Sequence, residues 1–385
     1  MLDEKNPHVM LEATWCCCNI STGSTTQIQR LVDKGVVPNL IKLLSCNSNE
    51  IFEQASWCVA NISADCAKFK NLLIDSGVVQ PLTKKILCTS DIKILKQTTW
   101  ALANVCRGKN KNQRVIQFAA PAFIKVLSSV EITDEIDILN DSLMGLADVV
   151  DDDLVNTLCE GSLLPKLKEI SKLRFKVILF PLLRILAYIT NGDDVQTQMV
   201  INNGFLELFY ELLADPTQDN RIRKEILWIL SNITIGTPEQ IYRAIIYEDR
   251  FDILVKYSHH ENTEIKKEAV WTLCNSTKNA LNDQIKYMVD RGMLGLFNDL
   301  LGKDQKVEIL LTILEAMNYV LLKSPGLGNG ETGMVSDDGA NMYVEMMLNN
   351  GMAEKIEILQ HHKDPKVYDL AVKLIENHFD LDEEM

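Results

Sequence analysis

The stretch SWCVANISAD, residues 56–65, contains a tryptophan followed four residues later by an asparagine. The same Trp-x-x-x-Asn pair occurs at all five tryptophans of the chain. Neighbouring tryptophans are 42 or 43 residues apart, except across one gap of 128 residues. The pairs are Trp15 and Asn19, Trp57 and Asn61, Trp100 and Asn104, Trp228 and Asn232, and Trp271 and Asn275. The sequence is therefore built from repeats of about 43 residues.

The 128-residue gap has room for two more units, in which the pattern is altered. In MGLADVVDDD, Met144 and Asp148 stand at the tryptophan and asparagine positions. In LLRILAYITNGDD, Arg184 and Tyr188 stand there. The period therefore continues through the gap with different side chains.

A second marker has the same period. The segment DKGVVPNLIKLL, residues 33–44, recurs as DSGVVQPL, EGSLLPKL, NNGFLELF, DRGMLGLF and NNGMAEKI. Its glycine favours a turn between two helices, the apolar run favours an amphipathic second helix, and the Trp-bearing stretch favours a third. A helical period of 40–47 residues is typical of armadillo and HEAT repeats, which bury their apolar faces against neighbouring repeats. We predict an all-α, right-handed armadillo-repeat superhelical solenoid of about eight to nine repeats.

The repeat boundaries also predict the domain organisation. The last interval between marker glycines is 59 residues, and the excess falls in the Gly-rich stretch SPGLGNGETGMVSDDGAN. This stretch is expected to be an exposed loop, and its glycines match no phosphate-binding motif. The predicted segments are a remnant of an opening repeat (1–14), armadillo repeats (15–323), the Gly-rich loop (324–341), a C-terminal armadillo repeat (342–380) and an acidic tail (381–385).

Composition and motif content exclude several classes of protein. The longest apolar runs are too short for a membrane span, and the net charge of -14 argues against a broad nucleic-acid surface. The ten cysteines form no CxxC pair and are expected to be reduced thiols without a metal. The six histidines make no HExxH motif and no GxSxG occurs, so neither an enzyme nor a cofactor is expected.

The Trp/Asn pairs themselves suggest what the protein binds. Residues four apart share one helical face, so stacked repeats would align the pairs in a row, here called the Trp/Asn ladder. An asparagine amide can donate to and accept from the backbone of an extended peptide, whatever the peptide sequence. Parallel indoles accept long aliphatic stems that end in a cation. The ladder therefore favours lysine-rich peptides.

Carboxylates recur beside the ladder and support a cationic ligand. Asp65 follows Asn61 by four residues, and later units have acidic residues in comparable places. Two further glutamates each precede a tryptophan by three residues, on the same helical face. The later carboxylates are Asp151, Asp194, Glu225 and Glu268.

The motifs SWCVANISAD, TTWALANVCRGKN, KEILWILSNIT and IKKEAVWTLCNSTKN resemble successive repeats of the importin-alpha (karyopherin-alpha) family. The resemblance covers the chain from near residue 9 to its C-terminus. It implies an adapter that binds lysine-rich mono- and bipartite nuclear localisation signals and shuttles between cytoplasm and nucleus. The implied major peptide site comprises Trp15, Asn19, Gly23, Trp57, Asn61, Asp65, Trp100 and Asn104. The implied minor site comprises Arg184, Tyr188, Asp194, Glu225, Trp228, Asn232, Glu268, Trp271 and Asn275.

The resemblance also implies partners. Expected are cargo proteins with basic signals, and an export receptor with the Ran GTPase; direct binding to nucleic acid or membranes is not expected. The chain departs from the family pattern at Met144 and Asp148, at Gln97 in place of an asparagine, and at Ile28 in place of a threonine near the central lysine pocket. Only 14 residues precede Trp15, so the basic segment that recruits importin-beta is expected to be absent and importin-beta not to bind. The alternative hypothesis is a non-transport armadillo scaffold, similar to the catenins, that binds extended peptides.

Overall fold

The computed structural model describes residue 2 and residues 6–108, 113–129, 135–302, 304–323 and 341–379. Within these ranges the chain is helical and no β-strand occurs. The chain divides into two compact units, residues 1–189 and 190–385. The predicted all-α armadillo fold is confirmed. The Gly-rich loop and the acidic tail were predicted at segments that fall almost entirely outside the described residues.

The first unit begins with one long helix and continues with repeats of two short helices and a longer third. The helices are α1 (Pro7–Ser21), α2 (Thr25–Asp33), α3 (Val36–Leu43), α4 (Asn49–Asp65), α5 (Ala67–Asp75), α6 (Val79–Cys88), α7 (Ile92–Cys106), α8 (Gln113–Ser128), α9 (Ile136–Val149), α10 (Asp152–Glu160), α11 (Leu163–Ser171) and α12 (Lys176–Thr190). In the fourth repeat the two short helices are joined as α8, which contains Pro121.

The second unit has the same order of helices. They are α13 (Asp194–Asn202), α14 (Phe205–Ala214), α15 (Asn220–Ile233), α16 (Pro238–Ile241), α17 (Arg250–Ser258), α18 (Thr263–Asn279), α19 (Asn282–Asp290), α20 (Met293–Leu300), α21 (Val307–Leu322), α22 (Met342–Asn349), α23 (Met352–Leu359) and α24 (Pro365–His378). A π-helical turn at Tyr242–Ile246 follows α16.

The third helices carry the ladder and pack on one another. In the first unit α1 packs on α4, α4 on α7 and α7 on α9; in the second unit α15 packs on α18, α18 on α21 and α21 on α24. Their opposite faces are buried, with Phe52 and Leu143 in the first core and Leu230 and Met317 in the second. Burying each such side chain contributes roughly 1.5–3 kcal/mol. The stacking therefore holds the ladder residues at a fixed spacing within each unit.

Marker glycines make most of the turns into the second helices, as predicted. They adopt positive φ at Gly35, Gly77, Gly204, Gly292 and Gly351. Gly161 is different, with extended backbone (φ -85°, ψ -178°). In the turn before α17, Glu248 and Asp249 adopt φ of 55° without a glycine. Non-glycine residues in this region are strained, and Arg291 and Tyr287 both bond the Asp249 carboxylate.

Glutamines close the first turn of several first helices. Gln27, Gln196, Gln240 and Gln284 each accept a hydrogen bond from the backbone N–H three residues earlier. Two of these glutamines in the second unit also reach the preceding repeat. Gln240 Nε2 donates to the Asp194 carbonyl at 2.8 Å and Gln284 Nε2 to the Pro238 carbonyl at 2.9 Å. These bonds tie successive first helices together.

Among the described helices, none combines the length and the hydropathy that a membrane span requires.

Candidate peptide-binding groove

The ladder tryptophans are unusually exposed for large apolar side chains. Trp15, Trp57 and Trp228 are 51%, 44% and 38% exposed, and Trp100 and Trp271 are half-buried. Each lies on the third helix of its repeat, as predicted. Core packing would instead bury the rings. Open indoles repeated on stacked helices are therefore better explained by a ligand than by the core.

The asparagines of the ladder differ in their surroundings. Asn61 Nδ2 donates to Ser21 Oγ at 3.1 Å, and Asn275 Nδ2 donates to the Ser231 carbonyl at 3.1 Å, each reaching the preceding third helix. Asn232 Nδ2 is shielded from solvent and has no hydrogen-bond partner among the described residues. Asn104 is only 3% exposed. The packing around α7 therefore buries Asn104, and its place in the major site stays a prediction.

Gly23 and Asp65 lie at the turns that end α1 and α4. A Cβ atom at Gly23 would come within 2.3 Å of Gln27 Oε1, so glycine fits this turn without displacing Gln27. Asp65 Oδ1 accepts from Thr25 Oγ1 at 3.0 Å, two residues beyond Gly23. Asp65 Oδ2 is buried and has no hydrogen-bond partner among the described residues. One carboxylate oxygen is thus fixed and the other unsatisfied.

The departure at Ile28 has a structural explanation. Ile28 is buried in the core on α2, so its side chain adds no polar group to this turn. Thr25, one turn earlier on α2, supplies a hydroxyl to Asp65 instead. The sequence did not single out Thr25, although its hydroxyl lies only three residues before the position at which a threonine was expected.

In the last repeats of the first unit, the ladder positions are occupied differently. Arg184 Nη2 lies 3.1 Å from Asp148 Oδ1, which joins α12 to α9. Met144 and Tyr188 are half-buried. Asp151 was expected beside the groove, but its side chain accepts from the Leu154 N–H and caps α10. Because the units divide after Ile189, Arg184 and Tyr188 belong to the first unit, apart from the rest of the predicted minor site.

The ladder of the second unit contains buried carboxylates. Glu268 is 6% exposed, and its Oε2 has no hydrogen-bond partner within the described part of the chain. Burial raises the pKa of Glu268 to about 6, while Lys224 and Lys267 act in the opposite direction. Glu225 is half-buried in the equivalent place on α15, and Asp194 is exposed in the first turn of α13.

Lysines of the protein also lie in the second ladder. Lys267 Nζ is 4.3 Å from the centroid of the Trp271 ring and 2.8 Å from Glu308 Oε2 on α21. Lys224 Nζ pairs with Glu264 Oε2 at 3.1 Å, from α15 to α18. The α21 side of Trp271 therefore already has a cation on it.

Two glutamines complete the set of groove residues. Gln54 and Gln97 precede Trp57 and Trp100 by three residues, the offset at which Glu225 and Glu268 stand in the second unit. Gln54 Oε1 and Gln97 Nε2 are buried without a hydrogen-bond partner among the described residues. Gln97 was noted in the sequence as a departure, but Gln54 was missed because it lacks the charge that marks Glu225 and Glu268.

Repeat models match the chain in both units. An armadillo/beta-catenin-like repeat matches residues 24–64, 66–107 and 193–235, and an atypical Arm repeat matches residues 341–385. Importin subunit alpha-3 of Arabidopsis thaliana is 32% identical over 380 residues, which cover 98% of this chain and 70% of the relative. Importin subunit alpha-1b of Oryza sativa subsp. japonica is 33% identical, covering 99% and 70%. The chain belongs to the importin subunit alpha family.

Other comparisons agree with this family. Importin subunit alpha-8 of Arabidopsis thaliana is 31% identical over 377 residues, covering 96% of this chain and 80% of the relative. An engineered protein of known crystal structure has a TM-score of 0.76 at 20% identity, covering 98% of this chain and 97% of its own, which supports the fold alone. Across the described ranges, no three His, Cys, Asp or Glu side chains converge as a metal site would require. At the family level, importin alpha membership supports a role as a nuclear import adapter.

Proposed function

We propose that the chain is a nuclear import adapter that binds lysine-rich nuclear localisation signals along its Trp/Asn ladder. The observation that carries the proposal is the set of unsatisfied polar atoms beside open indoles. In the described part of the chain, Gln54, Asp65, Gln97, Asn232 and Glu268 each have a buried polar atom without a partner. Leaving such an atom unsatisfied costs about 1–3 kcal/mol, so a ligand that pairs with these groups recovers that cost.

An extended lysine-rich peptide suits this set of groups. Amides such as those of Gln97 and Asn232 can bond the peptide backbone, which makes the grip independent of side-chain sequence. Lysine stems fit between neighbouring indoles, and the ammonium groups pair with Asp65 or Glu268. An acidic peptide would gain the backbone bonds but would place its charges beside carboxylates.

The proposal assigns one groove to each unit. The major site is the groove of the first unit, from Trp15 and Gly23 through Asp65 to Trp100. The minor site is the groove of the second unit, around Trp228 and Trp271. A signal with two lysine clusters would occupy both, because binding of the first cluster raises the effective concentration of the second. Cargo release through an export receptor and the Ran GTPase, and shuttling between cytoplasm and nucleus, belong to the same proposal.

Calorimetric titration with a short lysine-rich peptide tests the proposal. We expect binding whose affinity falls as salt rises, because exposed ammonium–carboxylate pairs are screened over about 10 Å at 0.1 M salt. The control is a peptide of the same length in which glutamate replaces every lysine, and it should not bind. Two outcomes would contradict the proposal: equal binding of the two peptides, and lysine-peptide binding that is independent of salt. Either would favour a scaffold that binds extended peptides without a preference for lysine.

A further inference from the structure

The ion pair between Asp148 and Arg184 lies on the Trp/Asn ladder of the first unit. Asp148 stands at the asparagine position of α9, and Arg184 stands at the tryptophan position of α12. Their side chains meet at 3.1 Å. Elsewhere in this unit the tryptophan position holds an indole or Met144. Here the protein itself places an anion and a cation on the surface along which a peptide would continue beyond Trp100.

The pair is partly shielded from water. The Asp148 side chain is 10% exposed and that of Arg184 is 26% exposed. Asp148 is also close to the buried thiol of Cys106 on α7, whose pKa is raised chiefly by burial and further by this carboxylate. Asp148 therefore lies on a helix that packs on α7, and its largely buried carboxylate is paired with Arg184. A charge in such a place interacts more strongly with a nearby charge than one in open solvent does.

We propose that the Asp148–Arg184 pair makes this part of the groove indifferent to the charge of the peptide residue that crosses it. The inference rests on the proposed function, since it concerns residues flanking the lysine core of a bound signal. A flanking lysine would be attracted by Asp148 but repelled by Arg184. A flanking glutamate would meet the opposite pair of forces. The lysine core of the signal therefore determines the affinity, and the charge of the flanking residue does not change it.

Substituting either member of the pair should shift the preference for the flanking charge, in opposite directions for the two residues. Asp148→Asn keeps an acceptor for Arg184 but removes the negative charge, so the uncompensated guanidinium should favour a glutamate flank. Arg184→Gln leaves the shielded Asp148 carboxylate without its cation, so a lysine flank should be favoured. At about 1 kcal/mol for a half-buried charge pair, each preference should be roughly fivefold.

The test uses peptides with a five-lysine core and a three-residue flank, Ala-X-Ala, at each end. X is Glu, Ala or Lys, and placing the flank at both ends makes the result independent of peptide direction. Fluorescence anisotropy in 0.15 M salt should give wild-type affinities for the Glu and Lys flanks within about twofold, since more distant charges are largely screened. Asp148→Asn and Arg184→Gln should shift the ratio of the two affinities in opposite directions.

The Lys166–Glu169 pair on α11, 2.8 Å apart, joins a half-buried lysine to an exposed glutamate and supplies matched controls. Glu169→Gln and Lys166→Gln change the net charge as the two test variants do and should leave the affinity ratio unchanged. A wild-type preference above fivefold, or equal ratios in Asp148→Asn and Glu169→Gln, would overturn the inference. If a variant fails to fold, which circular dichroism would reveal, the peptide series with the wild-type protein can still overturn the inference. If the Ala-flanked core peptide itself does not bind, the proposed function fails instead.

Discussion

The two grooves share one residue pattern but differ in how much of it is available to a ligand. In the first unit, none of the described cations lies over Trp15, Trp57 or Trp100, and Asp65 Oδ2 has no hydrogen-bond partner among the same described residues. In the second unit, Lys267 lies over the Trp271 ring and is held there by Glu308. On the proposed function, lysine stems would enter two slots in the first unit, on either side of Trp57, and one slot in the second, between Trp228 and Trp271.

On the proposed function, copies of one repeated motif are expected to bind with different affinities. A peptide lysine that approaches the α21 side of Trp271 must displace Lys267 from both the ring and Glu308. The same lysine meets no such competitor beside Trp57. Side chains one turn away from the motif thus decide which copy binds strongly, and the groove of the first unit is expected to be the tighter one.

Trp57→Ala should have the largest effect, because its ring forms a wall of both slots in the first unit. Each lysine–indole contact is worth roughly 0.5–2 kcal/mol, so losing two should weaken peptide binding in this groove about 5- to 900-fold. Trp228→Ala removes one slot of the weaker groove and should reduce the total affinity far less. Calorimetric titration with the lysine-rich peptide measures both.

Tyr368→Ala, at an exposed aromatic on α24 outside both grooves, serves as the control for loss of a ring and should bind like the wild type. Equal losses in Trp57→Ala and Trp228→Ala would contradict the assigned order of the two grooves.

Asp65→Asn should have the next largest effect. The amide keeps an acceptor for Thr25 but lacks the charge that pairs with an ammonium, so affinity should fall about five- to tenfold, less than for Trp57→Ala. The dependence of affinity on salt should become shallower as well. Asp75→Asn, an exposed site at the end of α5, changes the net charge equally and should alter neither quantity. An unchanged salt slope in Asp65→Asn would mean that its carboxylate does not contact the peptide.

Glu268 should make binding in the second groove depend on pH. Its pKa of about 6 lies above its ordinary value of 4.5, so the carboxylate gains a proton, and loses its attraction for lysine, as pH falls through 6. In a Trp57→Ala background, where binding reports the second groove, affinity should drop about threefold from pH 7.5 to pH 5.5. Glu268→Gln should bind weakly at both values. A drop that persists in Glu268→Gln would point to another titrating group.

The same raised pKa has a consequence for stability. The folded state holds the Glu268 proton more tightly than the unfolded state does, so the ionised carboxylate destabilises the fold at neutral pH. Protonation removes this destabilisation as the pH falls from 6 towards 4.5. Glu268→Gln should therefore raise Tm by about 1–3 °C at pH 7.5 and by less at pH 5. Glu264→Gln, at the exposed partner of Lys224, is the control and should not raise Tm.

Lys267→Ala should have the smallest effect and the opposite sign. Removing this lysine uncovers the α21 side of Trp271 and frees Glu308, so binding in the second groove should tighten about two- to threefold. Lys366→Ala, at an exposed lysine at the start of α24, is the control for the lost charge. Weaker binding in Lys267→Ala would show that this lysine supports the groove rather than competing for it.

Much of the fold was predictable because the repeat leaves three marks on the sequence. Trp57 and its counterparts identify the third helices, glycines such as Gly35 identify the turns, and the period links them. The turn at Glu248 was not predictable. Two successive non-glycine residues adopt positive φ there, while Arg291 and Tyr287, about 40 residues further along the chain, bond the Asp249 carboxylate. No local sequence signal reports such distant contacts.

The helices that carry the ladder were predictable, but the surroundings of the ladder side chains were not. The sequence placed Asp65, Trp100 and Glu268 on one surface of their units, yet it could not show which polar atoms lack partners. The role of Lys267 was also hidden, since a lysine four residues before a tryptophan looks like an ordinary surface charge until Glu308 is brought beside it. The capping role of Asp151 was not predictable either, because a cap and a binding carboxylate have the same sequence appearance.

The buried glutamines Gln240 and Gln284 have a consequence for how the second unit unfolds. Each bonds the backbone of its own helix and a carbonyl one repeat earlier, so separating two repeats breaks directional bonds as well as apolar contact. Coupling between neighbouring repeats raises the cooperativity of unfolding. It also disfavours a shift of one repeat by a helical turn relative to the next. Amide hydrogen exchange should therefore find α13, α16 and α19 opening together, as one melting domain, rather than fraying one repeat at a time.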